Sequence, residues 1–471
     1  MERSFEECRK QLLEECKVDT ELFEGIETRL AQFLKPFASS LESGVRREFA
    51  EQYVAGLTSN LERKNAESIA YFHDEDRQGL QRFIGQMEWD HRPMLTELAR
   101  QVGVELGEPD GVIVFHPSGH SKQGKCSVGV HRQWNGRRGK SENCQVGIYM
   151  AYVSRQEQTL VNERLYLPRD WTKDRKRCRK CGVPRNVEFA TRLNLSLDML
   201  EEQGSLLPHS WIAGDDEFGR STRFRRDLRA RTERYLLAVP SNTLVRDLEA
   251  TPPIYSGHGK RPMNPFVRVD QWCAALTNES WTRVDVRDGE KGPLVVHVAL
   301  CRVLAITERK NPHAEEILVI VRRMDEHGEA IHDYYLSNAD RQTPANEFAR
   351  VATAQHRVEE CIKRAKSDAG LSDYETRTWW GWHHHQTLSM LATWFLVQEA
   401  RRGKKIDTGF DRSTGPRNVG QDVVRRCRPT RRRASCSGLS APIGTKRIST
   451  ALSPQETQSL ATTACPSTSI D

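Results

Sequence analysis

Trp211-Ile-Ala-Gly-Asp215-Asp216-Glu217-Phe218-Gly219 decides the fold. Four apolar or small residues read as a buried strand, and the acids that follow lie at its carboxyl end, where α/β sheets present their chemistry. Downstream, Arg223 to Glu233 reads as a strongly basic helix and Tyr235 to Val239 as a second short strand ending at Pro240. Upstream, Gly111 to Phe115, the alternating run Lys125 to Trp134, and Gln145 to Val153 read as three strands. A brief strand, Leu165 to Leu167, and a helix, Leu193 to Glu202, complete this stretch. Adjacent strands followed by strand–helix alternation make a mixed α/β sheet.

The flanks differ in period. Leu22, Phe23, Ile26, Leu30, Phe33, Leu34 and Phe37 recur at three- and four-residue intervals, as do Phe49, Tyr53, Val54 and Leu57, then Leu80, Phe83, Ile84 and Met87. This is helical spacing, so residues 1–100 read as all-α, with LERKNAESIA (61–70) taken as helix partly facing a partner. Residues 241–345 hold Pro252, Pro253, Pro262 and Pro265. Long β runs follow at Leu294 to Ile306 and Ile317 to Arg323, with a third around Tyr334 to Leu336. That stretch reads as a β-rich insertion between the core segments 101–240 and 346–400. Helix returns over Ala345 to Ala369 and Trp382 to Ala400.

The chain has 471 residues and a net charge of +7. From Arg401 onward, 14 Lys and Arg stand against 5 Asp and Glu, which leaves 57 basic and 59 acidic groups in the first 400 residues. The positive excess therefore sits in the Arg/Ser/Thr-rich segment 401–471, which lacks the apolar spacing to order itself. No apolar run reaches the ~18 residues that span a bilayer. The start, MERSFEECRK, is charged where a secretory signal needs an apolar stretch. The expectation is a soluble, cytoplasmic protein with no membrane partner. Its 12 cysteines read as reduced thiols. Cys178 and Cys181 form a CxxC without a second ligand pair, which reads as a basic loop holding two thiols.

His116-Pro-Ser-Gly-His120-Ser-Lys122-Gln-Gly124-Lys125 carries a P-loop-like spacing, Gly119 to Lys125. A P-loop must run into a helix. Here an alternating β pattern follows, so nucleotide binding is not expected. His116 and His120, four apart, are placed in a Pro/Gly loop, where that spacing does not aim two ligands at one metal. His383, His384 and His385, beside Trp379, Trp380 and Trp382, read as an aromatic, hydrogen-bonding helix start. Glu359, Lys363 and Lys366 share one helical face. A carboxylate beside two ammonium groups suits a metal next to a phosphate, although i,i+4 pairing on a solvated face gives the same pattern.

Five stretches in order, GKCSVGVHRQW (124–134), NCQVGIYMAYVS (143–154), WIAGDDEFGRS (211–221), RYLLAVPSNT (234–243) and HRVEECIKRAKSDAGLSDYE (356–375), resemble the DDE transposases of bacterial insertion sequences. The resemblance is to the IS4-like branch, which carries a β-strand insertion before its glutamate. It implies an RNase H-like core and an N-terminal helical domain that contacts DNA. It further implies two Mg²⁺ (or Mn²⁺) ions held by three carboxylates. Asp215 then matches the second carboxylate, Glu359 the third, and Lys366 the lysine seven residues beyond. The family's Asp in the D-P-S-G pattern is replaced by His116, and the tyrosine and arginine expected before the glutamate are Ala352 and Gln355. Expected partners are terminal inverted repeats and target DNA, gripped by a dimer, with Lys122, Lys125, Arg132 and Lys363 as DNA-contacting residues. The protein would be nucleoid-associated when bound. The lost Asp and the change of composition after Lys405 fit a degenerate copy with an out-of-frame tail, impaired in cutting. The alternative is a catalytically silent protein that occupies the element's terminal repeats.

Overall fold

The computed structural model describes residues 24–289, 292–307, 314–325 and 327–406. Leu22, Phe23 and the basic tail beyond residue 406 lie outside the described residues.

Elements are numbered in chain order. The chain opens with α1 (Ile26–Ala38), α2 (Gly44–Leu57), α3 (Ala66–Phe72), α4 (Arg77–Gly85) and α5 (Arg92–Leu106). In α1 the apolar positions Ile26, Leu30, Leu34 and Phe37 are buried together, as 3.6-residue spacing requires. LERKNAESIA is only half helical. The Asn65 side chain accepts a hydrogen bond from Ser68 N at 2.9 Å, which caps α3 and leaves residues 61–65 as loop.

The strands are β1 (Val112–Ser121), β2 (His131–Asn135), β3 (Lys140–Val153), β4 (Gln158–Leu165), β5 (Trp211–Gly214) and β6 (Tyr235–Ala238). Then come β7 (Leu244–Asp247), β8 (Val267–Arg268), β9 (Thr282–Gly289), β10 (Gly292–Ile306), β11 (Glu316–Met324) and β12 (Ala330–Ser337). Between β4 and β5 lies α6 (Arg192–Gln203), after two short helical segments, Arg169–Lys173 and Arg175–Lys180. Between β5 and β6 lie α7 (Asp216–Arg220) and α8 (Thr222–Ala230), and the chain closes with α9 (Ala345–Asp368) and α10 (Trp379–Ile406). The described strands form one mixed sheet. Its centre runs β4-β3-β1-β5-β6, with β3 antiparallel to both neighbours and β1, β5 and β6 parallel. This is the RNase H-like order. The strands of the 241–345 stretch continue the same sheet, because β12 pairs with β6 and is followed outward by β11, β10 and β7.

Three local expectations need correction. β1 extends six residues past Phe115, since all ten of its residues pair with β3 while only 112–115 pair with β5. Pro117 falls in the stretch flanked by β3 alone, where a missing N–H is tolerated. His116 and His120 are thus strand residues on one face, not loop residues. Lys125 to Val130 is loop rather than strand, turned by Gly124 (φ 77°) and Gly129 (φ 72°). Val128 and Val130 alternate because they pack against Trp171, Cys178 and Trp382. No helix follows Lys125. Finally, β4 begins seven residues before Leu165 and ends there. Its buried Asn162 and Glu163 hide it from any reading by apolar pattern.

One core cluster runs from Ile26 to Leu396, so the helical region, the sheet, α9 and α10 share an interior. At the β5–β6 junction, a Cβ on Gly219 would lie 1.9 Å from the Ala238 carbonyl oxygen. That approach seats α7 directly behind Asp215.

Candidate active site

β1 and β5 run parallel in register from Val112↔Trp211 to Phe115↔Gly214. The next residues are His116, midway along β1, and Asp215, just past the end of β5, so the two stand level where the β1–β5 pairing stops. Asp215 caps α7, its Oδ1 accepting from Glu217 N at 3.0 Å. Burial, reinforced by the charges of Glu217 and Asp216, pushes its carboxyl up to about 7. Glu217 in turn is held by Arg192 at 2.8 Å. Such a carboxyl is short of positive charge.

His116 supplies none. Burial, and secondarily the Lys366 ammonium, push its imidazole down to about 4, so it is neutral at physiological pH. Its Nδ1 is shielded from solvent and has no hydrogen-bond partner. Asp110, the other acid near β1, lies at the opposite end, bound by Arg155 and by Arg350 at 3.6 Å.

α9 follows the direction of β1. Near its start Glu347 accepts from Trp211 Nε1 at 2.7 Å, and near its end Lys366 Nζ donates to Ser118 Oγ at 2.7 Å. Glu359 is exposed and lies seven residues before Lys366, about 10 Å back along the helix. His116 lies about 7 Å back from Ser118 along the strand. Glu359 therefore stands near the level of His116, on the flank turned toward Tyr335 of β12, whose hydroxyl feels its charge. Sequence spacing located Lys366 but not Ser118. That partner is 248 residues away and becomes visible only once β1 is known to continue past Pro117.

The other expected site residues divide. Lys125, Arg132 and Lys363 are exposed. Lys122 is not a free surface cation. Its Nζ donates to the Tyr374 carbonyl at 3.0 Å and sits 3.5 Å from the Tyr374 ring centroid, and burial lowers it to about 8. Ala352 is buried, and Gln355 has a shielded Oε1 without a partner. Arg357 is committed to Gln158 Oε1 and the Ser154 carbonyl. The Cys178 thiol donates to the Trp171 carbonyl at 3.0 Å and the Cys181 thiol to the Cys126 carbonyl at 3.5 Å. Among the described residues, three metal-ligating side chains converge at only one place, and the CxxC is not part of it.

Among the described residues, no helix is long and apolar enough to cross a membrane. None of the curated proteins matches the chain. Among solved structures, it is similar to a piggyBac transposase in its cryo-EM synaptic complex with hairpin DNA. The identity is 11% over 87% of this chain and 79% of that one, with a TM-score of 0.39. The family model described as DDE superfamily endonuclease matches residues 36–293, a span that contains β1, β5 and Asp215. The chain belongs to the DDE superfamily endonucleases.

Proposed function

We propose that this protein is a transposase of a bacterial insertion sequence, of the IS4-like branch, that recognises DNA ends but cuts and joins them poorly. The observation that carries this reading is the parallel register that sets a neutral His116 level with Asp215. In the superfamily's chemistry, carboxylate oxygens neutralise paired divalent ions and fix the in-line geometry. Asp215, poor in positive charge, fits one side of such an ion. His116 brings a softer, monodentate nitrogen, which suits Mn²⁺ better than Mg²⁺. The residues present do not make the two oxygen-rich positions that a Mg²⁺ pair needs.

In this reading Glu359 is the third carboxylate, Lys366 is a positioning lysine held by Ser118, and Lys125, Arg132 and Lys363 touch the DNA backbone. The protein acts as a dimer on terminal inverted repeats, associates with the nucleoid when bound, and descends from an active element. The second reading, a silent occupant of the terminal repeats, is favoured by the unpartnered His116 Nδ1.

The test is excision, in cells, of a reporter flanked by the element's ends. His116→Asp should raise excision by at least a hundredfold over the chain as it stands, and adding Asp215→Asn should abolish the gain. Equal excision by the original and the revertant would remove His116 from the first ligand position. End binding without excision by either would select the silent occupant.

A further inference from the structure

Away from the β1–β5 site, three elements send metal-ligating side chains to one point in the interior. They are His91 at the N-terminus of α5, Glu163 on β4 and His383 on α10, with ligand atoms all within 4.8 Å of one another. His383 Nδ1 lies 2.8 Å and His91 Nε2 3.9 Å from the same oxygen, Glu163 Oε1. The two imidazoles stack at 4.6 Å between centroids. All three residues are buried, and Glu163 is wholly so.

The neighbouring histidines show what a finished hydrogen-bonding role looks like here. His384 uses Nδ1 on the Ile84 carbonyl and Nε2 on the Trp89 carbonyl, at 3.0 and 2.9 Å. His385 pairs with the Tyr53 hydroxyl at 2.9 Å and the Gly370 carbonyl at 2.8 Å. Each of these ring nitrogens has a polar atom within hydrogen-bond distance. In the converging trio, by contrast, His91 Nδ1, Glu163 Oε2 and His383 Nε2 are all shielded and partnerless. These are the other polar atoms of the three side chains, while the atoms that meet, His91 Nε2, Glu163 Oε1 and His383 Nδ1, share a single hydrogen bond, so the cluster leaves most of its polar capacity unused.

Charge points to a cation. Glu163 is a wholly buried acid whose ion-pair partners among the described residues are the two imidazoles. Arg164, the nearest cation on the same strand, gives its guanidinium to Asn162 Oδ1, the Glu163 carbonyl and Glu202. Two imidazoles and one carboxylate form a borderline donor set that Zn²⁺ prefers and Mg²⁺ does not. Tetrahedral Zn²⁺ with ~2.0–2.1 Å bonds sets its ligands about 3.4 Å apart. The observed spacings fall on both sides of that value.

We propose that His91, Glu163 and His383 form a structural Zn²⁺ site that fastens α5 and α10 to β4, with water free to take the fourth position. The site is independent of the DNA chemistry proposed above.

The test uses the full chain, stripped with EDTA and titrated with Co²⁺ in excess Mg²⁺. One equivalent should bind and give the visible d–d bands of four-coordinate nitrogen/oxygen ligation. The near-ultraviolet sulfur charge-transfer band that Cys178 and Cys181 would produce should be absent. Zn²⁺ should displace the Co²⁺ and raise the Tm. Asp215→Asn with Glu359→Gln should leave the signal intact, while Glu163→Gln and His383→Asn should each weaken binding at least tenfold. A cooperatively folded wild type that binds no Co²⁺ overturns the proposal, as does a band that survives both ligand substitutions. Where a ligand variant fails to fold, the wild-type stoichiometry and the missing sulfur band decide alone.

Discussion

His116 and Asp215 are neighbours that burial moves in opposite directions, and this makes the pair readable by pH. Asp215 titrates near 7 when folded against ~4 in an unfolded chain. Between those values the folded protein holds the extra proton, so stability falls as pH rises across that window. His116 titrates near 4 when folded against ~6.5 unfolded. Between those values the unfolded chain holds the extra proton, so this contribution falls as pH drops. The two slopes oppose each other in the wild type. In EDTA, Asp215→Asn should gain about 1–2 kcal/mol over wild type at pH 8, half-exposure being allowed for, and fall to parity near pH 4. His116→Gln should show the reverse, with its advantage at pH 4–5 and parity above pH 7. Thermal melts across pH 4–8 check both, because a slope is insensitive to any constant packing change. Flat profiles for the two variants would mean that these ends are open to water. Asp215 was legible in the sequence because its strand is short, apolar and followed at once by acids. Its shifted titration was not, since that depends on the packing of α7 behind it.

The helix α8 shows how far composition can mislead about an element. Its sequence reads as a strongly basic helix, and Arg223 and Arg226 are exposed. Arg225 is buried, with Nε 2.9 Å from Glu316 Oε1 on β11 and Nη1 3.2 Å from Thr307 Oγ1. The Tyr235 hydroxyl donates to the same Glu316 oxygen at 2.6 Å, and Arg229 approaches it at 3.3 Å. This network joins α8 to the strand that extends the sheet past β12. Removing one member strands a buried charge, so Glu316→Ala should cost about 3–5 kcal/mol. The double change Arg225→Met, Glu316→Leu should cost less than Glu316→Ala alone, as measured by urea unfolding. A cost below about 1 kcal/mol for the single change would show that water reaches Arg225. The partner lies 91 residues along the chain, so no window of sequence could reveal it. The same limit hid β4, whose Glu163 and Asn162 are buried by distant elements. α6, α9, β5, β6, β10 and β11 were readable because their apolar spacing is local.

At the scale of the whole molecule, the sequence separates an α-rich start from a β-rich middle but is silent on how they join. The join is α10. His384 stacks on Trp89 at 3.6 Å between centroids, and its Nδ1 and Nε2 lie 3.0 and 2.9 Å from the carbonyls of Ile84 on α4 and Trp89 just before α5. His385 reaches Tyr53 on α2, and Lys64 Nζ donates to the Asp368 carbonyl at the end of α9. These contacts bridge about 300 residues of chain, and they leave one core from Ile26 to Leu396. Regions that share a core unfold together. Hydrogen exchange should therefore give the amides of α2 and α4 the same opening free energy as those of β1 and β5. His384→Ala removes a stacked ring and takes the N–H from a buried carbonyl, which should cost about 3–5 kcal/mol. The loss should appear equally in both sets of amides. If it appears in the helices while β1 and β5 keep their protection, the helical region is a separate folding unit docked on the sheet.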